Sequence, residues 1–241
     1  LVKEMNDTII GCRIYKIAQP ENDELILTIK GSCGQKRLFL SASASLPLVY
    51  FTETNKPSPM TAPGFCMLLR KHLQNGRIVS IHQPGLERII HIDIEHLDEM
   101  GDLCQKTLIV EIMGKHSNII FCHADGTIID SIKHVSGLVS SVREVLPGKQ
   151  YFIPQTQDKL DPLDLDADTW KTKVLTKPTA VFKAIYGSYT GISPILAQEV
   201  CFRAGVDGEA STAALSGEDV QKLYETFNQL VNDIKAGNFA P

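Results

Sequence analysis

The sequence lacks the patterns that mark several classes of protein. It contains no run of about 18 apolar residues, so it predicts no membrane-spanning helix. It also has no Gly-x-Ser-x-Gly, P-loop or His-Glu-x-x-His pattern, and its 7 histidines are scattered along the chain. We therefore expect no catalytic residue and no enzymatic activity.

Cysteine spacing provides neither a metal site nor a disulfide framework. No Cys-x-x-Cys pair and no histidine at a matching spacing accompanies the 6 cysteines, which are Cys12, Cys33, Cys66, Cys104, Cys122 and Cys201. Reduced thiols in a cytoplasmic protein are the expectation, because disulfides are rare in that compartment. No metal ion and no cofactor is predicted.

The sequence also has no excess of basic residues. The formal net charge is −4; residues 1–154 carry 16 basic and 16 acidic side chains, whereas residues 155–241 carry 8 and 12. The overall field therefore does not attract nucleic acid. Any contact with RNA has to come from a local patch of cations.

Strand-forming sequence dominates the first two thirds of the chain. Short runs of β-branched and apolar residues alternate with turn residues, and Asp125-Gly126 is a strong hairpin signal. The predicted strands are 9–17, 24–30, 36–42, 78–82, 88–95, 106–113, 118–123 and 127–133. Two groups of short strands around one helix predict an α+β fold with an antiparallel two-sheet β-sandwich.

That helix follows Pro63. Apolar residues repeat at helical spacing from Phe65 to Leu73, and Asn75-Gly76 supplies a left-handed stop. The last turn, Arg70-Lys71-His72, is basic. These cations either complement the helix dipole or belong to a binding surface.

The pattern becomes helical after a polar, proline-bearing stretch. Helices are predicted after Pro178, from Ser193-Pro194 to Gly205, and from Ser216 to Gly237, the last with a capping pattern and a continuous apolar stripe. We therefore expect a β-rich domain over residues 1–155, a linker over 156–177 and a helical domain over 178–241.

The turn between the first two of these helices is a candidate phosphate contact. Gly191-Ile192-Ser193 resembles the hairpin of helix-hairpin-helix domains, in which a Gly-apolar-Gly turn presents backbone N–H groups to a phosphate. Ser193 stands at the position of the second glycine. The alternative is a plain helical hairpin, which the acidic surplus of the tail favours.

A second candidate is the turn that contains Gly114, Lys115, His116, Ser117 and Asn118. These side chains carry donors that suit phosphate or sugar oxygens. Equally, the serine and asparagine can bond their own backbone and shape the turn.

The cations of separate segments could form one patch. If the strands pair as predicted, one edge of the domain carries Arg70, Lys71, Lys115, His116, Lys133 and His134.

Five motifs in one order give the chain a family resemblance. They are FCMLLRKHLQNGRI (65–78), QPGLERII (83–90), LIVEIMGKHSNII (108–120), IIDSIKHV (128–135) and REVLPGKQY (143–151). Together they closely resemble the N-terminal region of the NFACT family, known from RqcH in bacterial ribosome quality control. Its members were often labelled fibronectin-binding protein A. The resemblance implies a first domain like the N-terminal domain of formamidopyrimidine-DNA glycosylases, followed by a helix-hairpin-helix domain.

The resemblance also implies a function. Members bind obstructed large ribosomal subunits and recruit alanyl-tRNA, so that stalled nascent chains receive C-terminal alanine tails. They engage tRNA with an acidic-arginine pair, here Glu87-Arg88 with Glu in place of the usual Asp. A second acidic residue of that set would precede Leu1. The supporting tRNA contacts we expect are Arg70, Lys71, Lys115 and His116.

Two other functions remain open. The older label implies an adhesin of the cell surface with fibronectin as its partner, although no secretion signal is visible in the sequence. The glycosylase-like architecture implies a DNA-repair-like binding domain. For the function in ribosome quality control, the expected partners are tRNA and the large ribosomal subunit, and no membrane is expected.

Overall fold

A computed structural model describes residues 1–32, 34–154 and 158–239 and has an α+β fold, as predicted. Cys33 and the predicted boundary between the first domain and the linker, at residues 155 and 156, lie outside the described residues. The chain divides into two compact units. The first comprises Leu1–Pro84 and Arg88–Pro154, and the second comprises Gly85–Glu87 and the residues from 155 onward.

The first unit is built on an antiparallel sheet of nine strands. They are β1 (Arg13–Ala18), β2 (Glu24–Gly31), β3 (Gly34–Ser41), β4 (Leu48–Phe51), β5 (Arg77–His82), β6 (Ile89–Leu97), β7 (Leu103–Glu111), β8 (Asn118–His123) and β9 (Ile128–Ser131). Their order across the sheet is β4-β3-β2-β1-β5-β6-β7-β8-β9. The predicted hairpin at Asp125-Gly126 is confirmed, with Gly126 at φ +85°.

The predicted two-sheet sandwich is not confirmed, because hydrogen bonds join all nine strands into one sheet. The join is short: β1 pairs with β2 over most of its length but with β5 only at Arg13 and Arg77. The alternation of apolar and polar residues within a strand indicates which face of the strand is buried. It does not indicate which strand from a distant part of the chain pairs with it. The sequence therefore predicted the strands better than their connection.

Two helices cover the inner face of this sheet. α2 (Gly64–Leu73) follows the prediction: it buries Phe65 and Leu69, and Asn75 ends it at φ +67°. It packs against β1 and also against β6. It therefore contacts strands on both sides of the short join between β1 and β5. α1 (Val2–Ile9) corrects the sequence prediction, which places Ile9 in a strand, whereas β1 begins only at Arg13.

The outer face of β6 to β9 has a smaller core of its own. Ile89, Ile109 and Ile120 pack there against Val145 and against the partly buried Ile153. Residues 135–153 thus form a covering segment on the face opposite the main core. The main core itself takes side chains from both halves of the sheet and from both helices.

A buried ion pair holds the covering segment to the sheet. Glu111, the last residue of β7, is 0% exposed, and its carboxylate lies 2.5 Å from an Arg143 guanidinium nitrogen. The Tyr151 hydroxyl donates to the other carboxylate oxygen at 3.0 Å, and Arg143 also donates to the Phe152 carbonyl at 2.8 Å. Burial, followed by the charge of Glu111, raises the pKa of Tyr151, which keeps the hydroxyl a donor.

The second unit is helical. Its helices are α3 (Ala167–Thr169), which continues into a π-helical turn (Trp170–Val174), α4 (Val181–Ser188), α5 (Pro194–Ala204) and α6 (Gly217–Ala236). The predicted capping box of Ser216 and Asp219 and the left-handed end of α6 at Gly237 are confirmed. Within the described ranges, no helix is both long and apolar enough to cross a membrane.

The described part of the predicted linker packs within this unit. Trp170 and Val174 are fully buried in its core. The polar residues that pointed to a linker act as caps: Asp161 accepts a hydrogen bond from the Leu163 N–H, and Asp166 accepts from the Thr169 N–H. The division at 156–177 stays a prediction.

We expect Arg143→Met to destabilise the first unit by about 3–5 kcal/mol, because it leaves the buried Glu111 carboxylate without its cation. Urea denaturation followed by circular dichroism measures this. Lys3→Met is the matched control, since it removes an exposed ion pair with Asp7 and should change stability little. Equal losses in the two variants would contradict a special role for the buried pair.

Candidate nucleic-acid interface

Three predicted basic residues lie at one end of the sheet, where β6 begins and β7 turns into β8. Ile89 pairs with Glu111, which pairs in turn with Asn118. The Ile112 N–H donates to the Arg88 carbonyl oxygen at 2.8 Å, which places Arg88 beside the turn that carries Lys115 and His116. We call Arg88, Lys115 and His116 the basic end.

The residues of this turn fall into two groups, those that form hydrogen bonds shaping the turn and those that are exposed to solvent. The Ser117 hydroxyl accepts from the Met113 N–H at 2.8 Å, and the Asn118 side chain accepts from the Lys133 N–H at 3.1 Å. Lys115 and His116, in contrast, are exposed. The turn-shaping interpretation therefore applies to the serine and asparagine. Whether Lys115 and His116 contact phosphate or sugar oxygens stays a prediction.

The side chains of the basic end are open to a ligand. Arg88 is exposed, and among the described residues no ion pair involves it, Lys115 or His116. Two carboxylates at the same end are already engaged, Glu111 with Arg143 and Asp130 with His134 at 2.6 Å. These two carboxylates are therefore not available to pair with Arg88, Lys115 or His116.

Lys133, which the sequence predicts to be part of the patch, forms a hydrogen bond within the protein instead. Its ammonium donates to the carbonyl oxygen of Ala42, in the loop between β3 and β4. Gly114 lies near the same loop, with the Ala44 carbonyl 3.9 Å from the position that a Cβ would take. Lys133 thus fixes this loop next to the Lys115 turn.

The basic residues of α2 lie elsewhere. The Arg70 Nε donates to the Ile17 carbonyl at 2.9 Å, and the Lys71 ammonium lies 2.8 Å from the Glu99 carboxylate. This bond lowers the pKa of Glu99. Because Glu99 follows the far end of β6, Lys71 is separated from Arg88 by roughly 25 Å of strand. The structure therefore does not bring all the predicted cations into one patch.

The Glu87-Arg88 pair spans the division between the units. Arg88 starts a segment of the first unit, whereas Glu87, which is half-buried, belongs with Gly85 and Leu86 to the second. Whether the two side chains engage tRNA stays a prediction.

The glycine of the predicted phosphate turn has a packing role. Gly191 has φ +76°, and a Cβ there would lie 2.5 Å from the Leu86 carbonyl oxygen. Ile192 is buried, and the Ser193 hydroxyl caps α5 by accepting from the Leu196 N–H at 3.1 Å. These contacts account for all three residues structurally, and a phosphate contact stays a prediction.

Sequence reasoning missed the polar residues that build this end. Glu111 stands alone in the apolar run Leu108–Met113, and an isolated carboxylate in a buried strand requires a cation partner. That signal pointed to a buried ion pair but not to Arg143 as the partner. For metals, the described residues include no group of three His, Cys, Asp or Glu that could hold an ion.

Comparison with known families and proteins gives one consistent result. The model of the family described as NFACT N-terminal and middle domains matches residues 1–241. The chain is 40% identical over 207 residues to the Rqc2 homolog RqcH of Bacillus subtilis, covering 86% of the chain and 36% of that relative. It is 28% identical over 240 residues to the archaeal Rqc2 homolog aRqcH of Methanocaldococcus jannaschii, covering 97% and 34%. The chain thus spans about a third of either relative.

Solved structures agree with this result. The N-terminal part of the fibronectin/fibrinogen-binding protein from Streptococcus suis superposes with a TM-score of 0.80 at 31% identity, covering 96% of this chain and 81% of that one. The fibrinogen binding protein from Staphylococcus aureus gives 0.77 at 30% identity, covering 96% and 79%.

We expect Gly191→Ala to destabilise the second unit by about 2 kcal/mol, because alanine is strained at this φ and its methyl group would meet Leu86. The single tryptophan, Trp170, is buried in this unit, so its fluorescence during urea denaturation reports the loss. Gly217→Ala is the control: it has open space around it at the start of α6 and should leave stability unchanged or raise it. A Gly191 variant as stable as the control would contradict the packing role.

Proposed function

We propose that this chain, which belongs to the family of NFACT N-terminal and middle domains, is the RNA-binding part of a ribosome quality control factor of the RqcH type. The observation that carries the proposal is the basic end, where Arg88, Lys115 and His116 are exposed without ion-pair partners among the described residues. The names of the bacterial and archaeal relatives support it.

The geometry favours contact with an RNA backbone. An arginine, a lysine and a histidine offer several N–H donors from one sheet end, and most protein contacts of this kind go to phosphate and sugar oxygens. Ser117, Asn118 and Lys133 hold the backbone of the surrounding loops, so the turn that carries Lys115 and His116 keeps its shape. Such a surface recognises the shape of a folded RNA more than its base sequence.

In this role the chain binds tRNA while its protein occupies an obstructed large ribosomal subunit in the cytoplasm. Alanyl-tRNA is the proposed ligand, recruited so that a stalled nascent chain receives an alanine tail. Arg88 and Glu87 are the proposed primary contacts, Lys115 and His116 support them, and Gly191–Ser193 is a weaker phosphate contact. The proposed role of this chain is binding rather than catalysis.

A second candidate is a fibronectin-binding adhesin, since solved structures that resemble the chain carry fibronectin- or fibrinogen-binding names. Binding of the purified chain to immobilised fibronectin tests this function. Saturable binding that is insensitive to added tRNA would favour the adhesin, because it would show a surface separate from the RNA site.

We expect Arg88→Ala to weaken alanyl-tRNA binding by about tenfold and to lower the dependence of log affinity on log salt by roughly 0.7–0.9, the effect of losing one phosphate contact. Titrations at two salt concentrations measure both quantities. Lys71→Ala removes an equal charge whose ammonium is paired with Glu99 at the far sheet end, and it should change affinity far less. Equal losses in the two variants would indicate non-specific attraction and contradict a defined site.

A further inference from the structure

The loop between β3 and β4, residues 42–47, lies directly beside the basic end. The Lys133 ammonium donates to the Ala42 carbonyl oxygen of this loop. The Ala44 carbonyl oxygen lies 3.9 Å from the position that a Cβ would take on Gly114, the residue before Lys115. We call residues 42–47 the serine loop. The serine loop and the turn after β7 therefore belong to one surface, although β3 and β7 are not neighbours in the sheet.

Hydrogen bonds at the base of the serine loop fix its shape. The Ser41 hydroxyl donates to the Leu46 carbonyl at 3.1 Å and accepts from the Ser43 N–H at 3.2 Å. The Ser43 hydroxyl accepts from the Leu46 N–H at 3.4 Å. These bonds close the loop on itself and leave Ala44 and Ser45 exposed at its tip.

The tip of the serine loop carries donors that the protein itself does not use. Within the described ranges, no hydrogen bond of the protein involves the N–H of Ala44 or the N–H of Ser45. The Ser45 hydroxyl lies 3.3 Å from the Ser43 hydroxyl, and either of the two can be the donor. Backbone N–H groups and serine hydroxyls are common contacts to phosphate oxygens. The tip therefore supplies uncharged donors beside the lysine and histidine of the basic end.

No carboxylate of either segment opposes an anion at this place. Residues 25–52, which include the serine loop, contain no Asp or Glu, and neither do residues 112–124, which include the Lys115 turn. A phosphate between the two segments would thus meet donors from both sides without a like charge from either.

We propose that the serine loop is a second wall of the RNA site, in which the N–H groups of Ala44 and Ser45 and the Ser45 hydroxyl donate to a backbone phosphate. Lys133 is then a positioning residue: it holds the loop through the Ala42 carbonyl and does not contact the RNA. This inference rests on the proposed function, which makes RNA the ligand of the basic end.

A carboxylate placed at the loop tip tests the phosphate contact. Ser45→Glu in the full chain should weaken alanyl-tRNA binding by about tenfold, because it sets a like charge against the phosphate. Gln105→Glu is the matched control, since it adds the same charge at an exposed position of β7. Gln105 lies about 20 Å along the strand from Glu111, so this variant should change the affinity little.

Lys133→Met tests the positioning role. It removes the bond to Ala42 and should weaken binding by about fivefold, the effect of losing one hydrogen bond that holds the loop. The dependence of log affinity on log salt should stay at the parent value, because no phosphate contact is lost. Lys133→Arg keeps a donor for the Ala42 carbonyl and should restore the affinity. Unchanged affinity in Lys133→Met, or a salt dependence lower by roughly 0.7–0.9, would overturn the positioning role.

The outcomes separate this inference from the proposed function. Equal affinities of Ser45→Glu and Gln105→Glu, with Arg88→Ala still weakening binding, overturn the loop contact and leave the proposed function standing. Failure of the unsubstituted chain to bind alanyl-tRNA overturns both. Because Ser45 and Gln105 are exposed, both variants should keep the circular dichroism spectrum of the parent, which verifies folding.

Discussion

The carboxylate of Glu111 has no access to solvent, and its pairing with Arg143 and Tyr151 holds residues 143–151 against the end of β7 in the first unit. A buried carboxylate is costly unless a cation and hydrogen-bond donors compensate it. Here both partners come from residues 143–151, so the cost of burial is offset only when the covering segment lies on the sheet. The ion pair therefore links the packing of the outer face to the position of the turn after β7.

Several features follow from that link. The end of β7 fixes where Lys115 and His116 stand, and the pairing of Glu111 with Ile89 sets Arg88 beside them. The ion pair also holds residues 143–151 on the outer face of the sheet. This arrangement explains why the motifs at 108–120 and 143–151 contain both exposed cations and polar residues without a visible role in the sequence.

Local signals in the sequence predicted local structure well. The stop at Asn75, the caps at Ser193 and Ser216 and the turn at Gly126 were predicted because each depends on a few neighbouring residues. Features that depend on distant partners were not predicted. The join of β1 to β5, the capping roles within 161–169 and the bond from Lys133 to Ala42 all require knowledge of which segments meet.

The candidate site shows the same difference between local features, which the sequence predicted, and contacts between distant segments, which it did not. The sequence identified Arg88, Lys115 and His116 as basic residues, and the structure places them at one sheet end because their strands are neighbours. It also grouped Arg70 and Lys71 with them, since charge alone does not reveal that one bonds a β1 carbonyl and the other bonds Glu99 at the far end. Serine and asparagine in the same motif had two open interpretations, which only hydrogen-bond geometry could separate.

Lysine footprinting tests most directly whether the basic end holds RNA. The chain would be acetylated with an amine-reactive ester in the presence and absence of alanyl-tRNA, and the rate at each lysine followed by mass spectrometry. Lys115 and Lys71 are both exposed, so both react in the free protein. RNA at the basic end predicts slower modification of Lys115 with no change at Lys71. Protection of Lys71 alone, or equal protection of both, would contradict it.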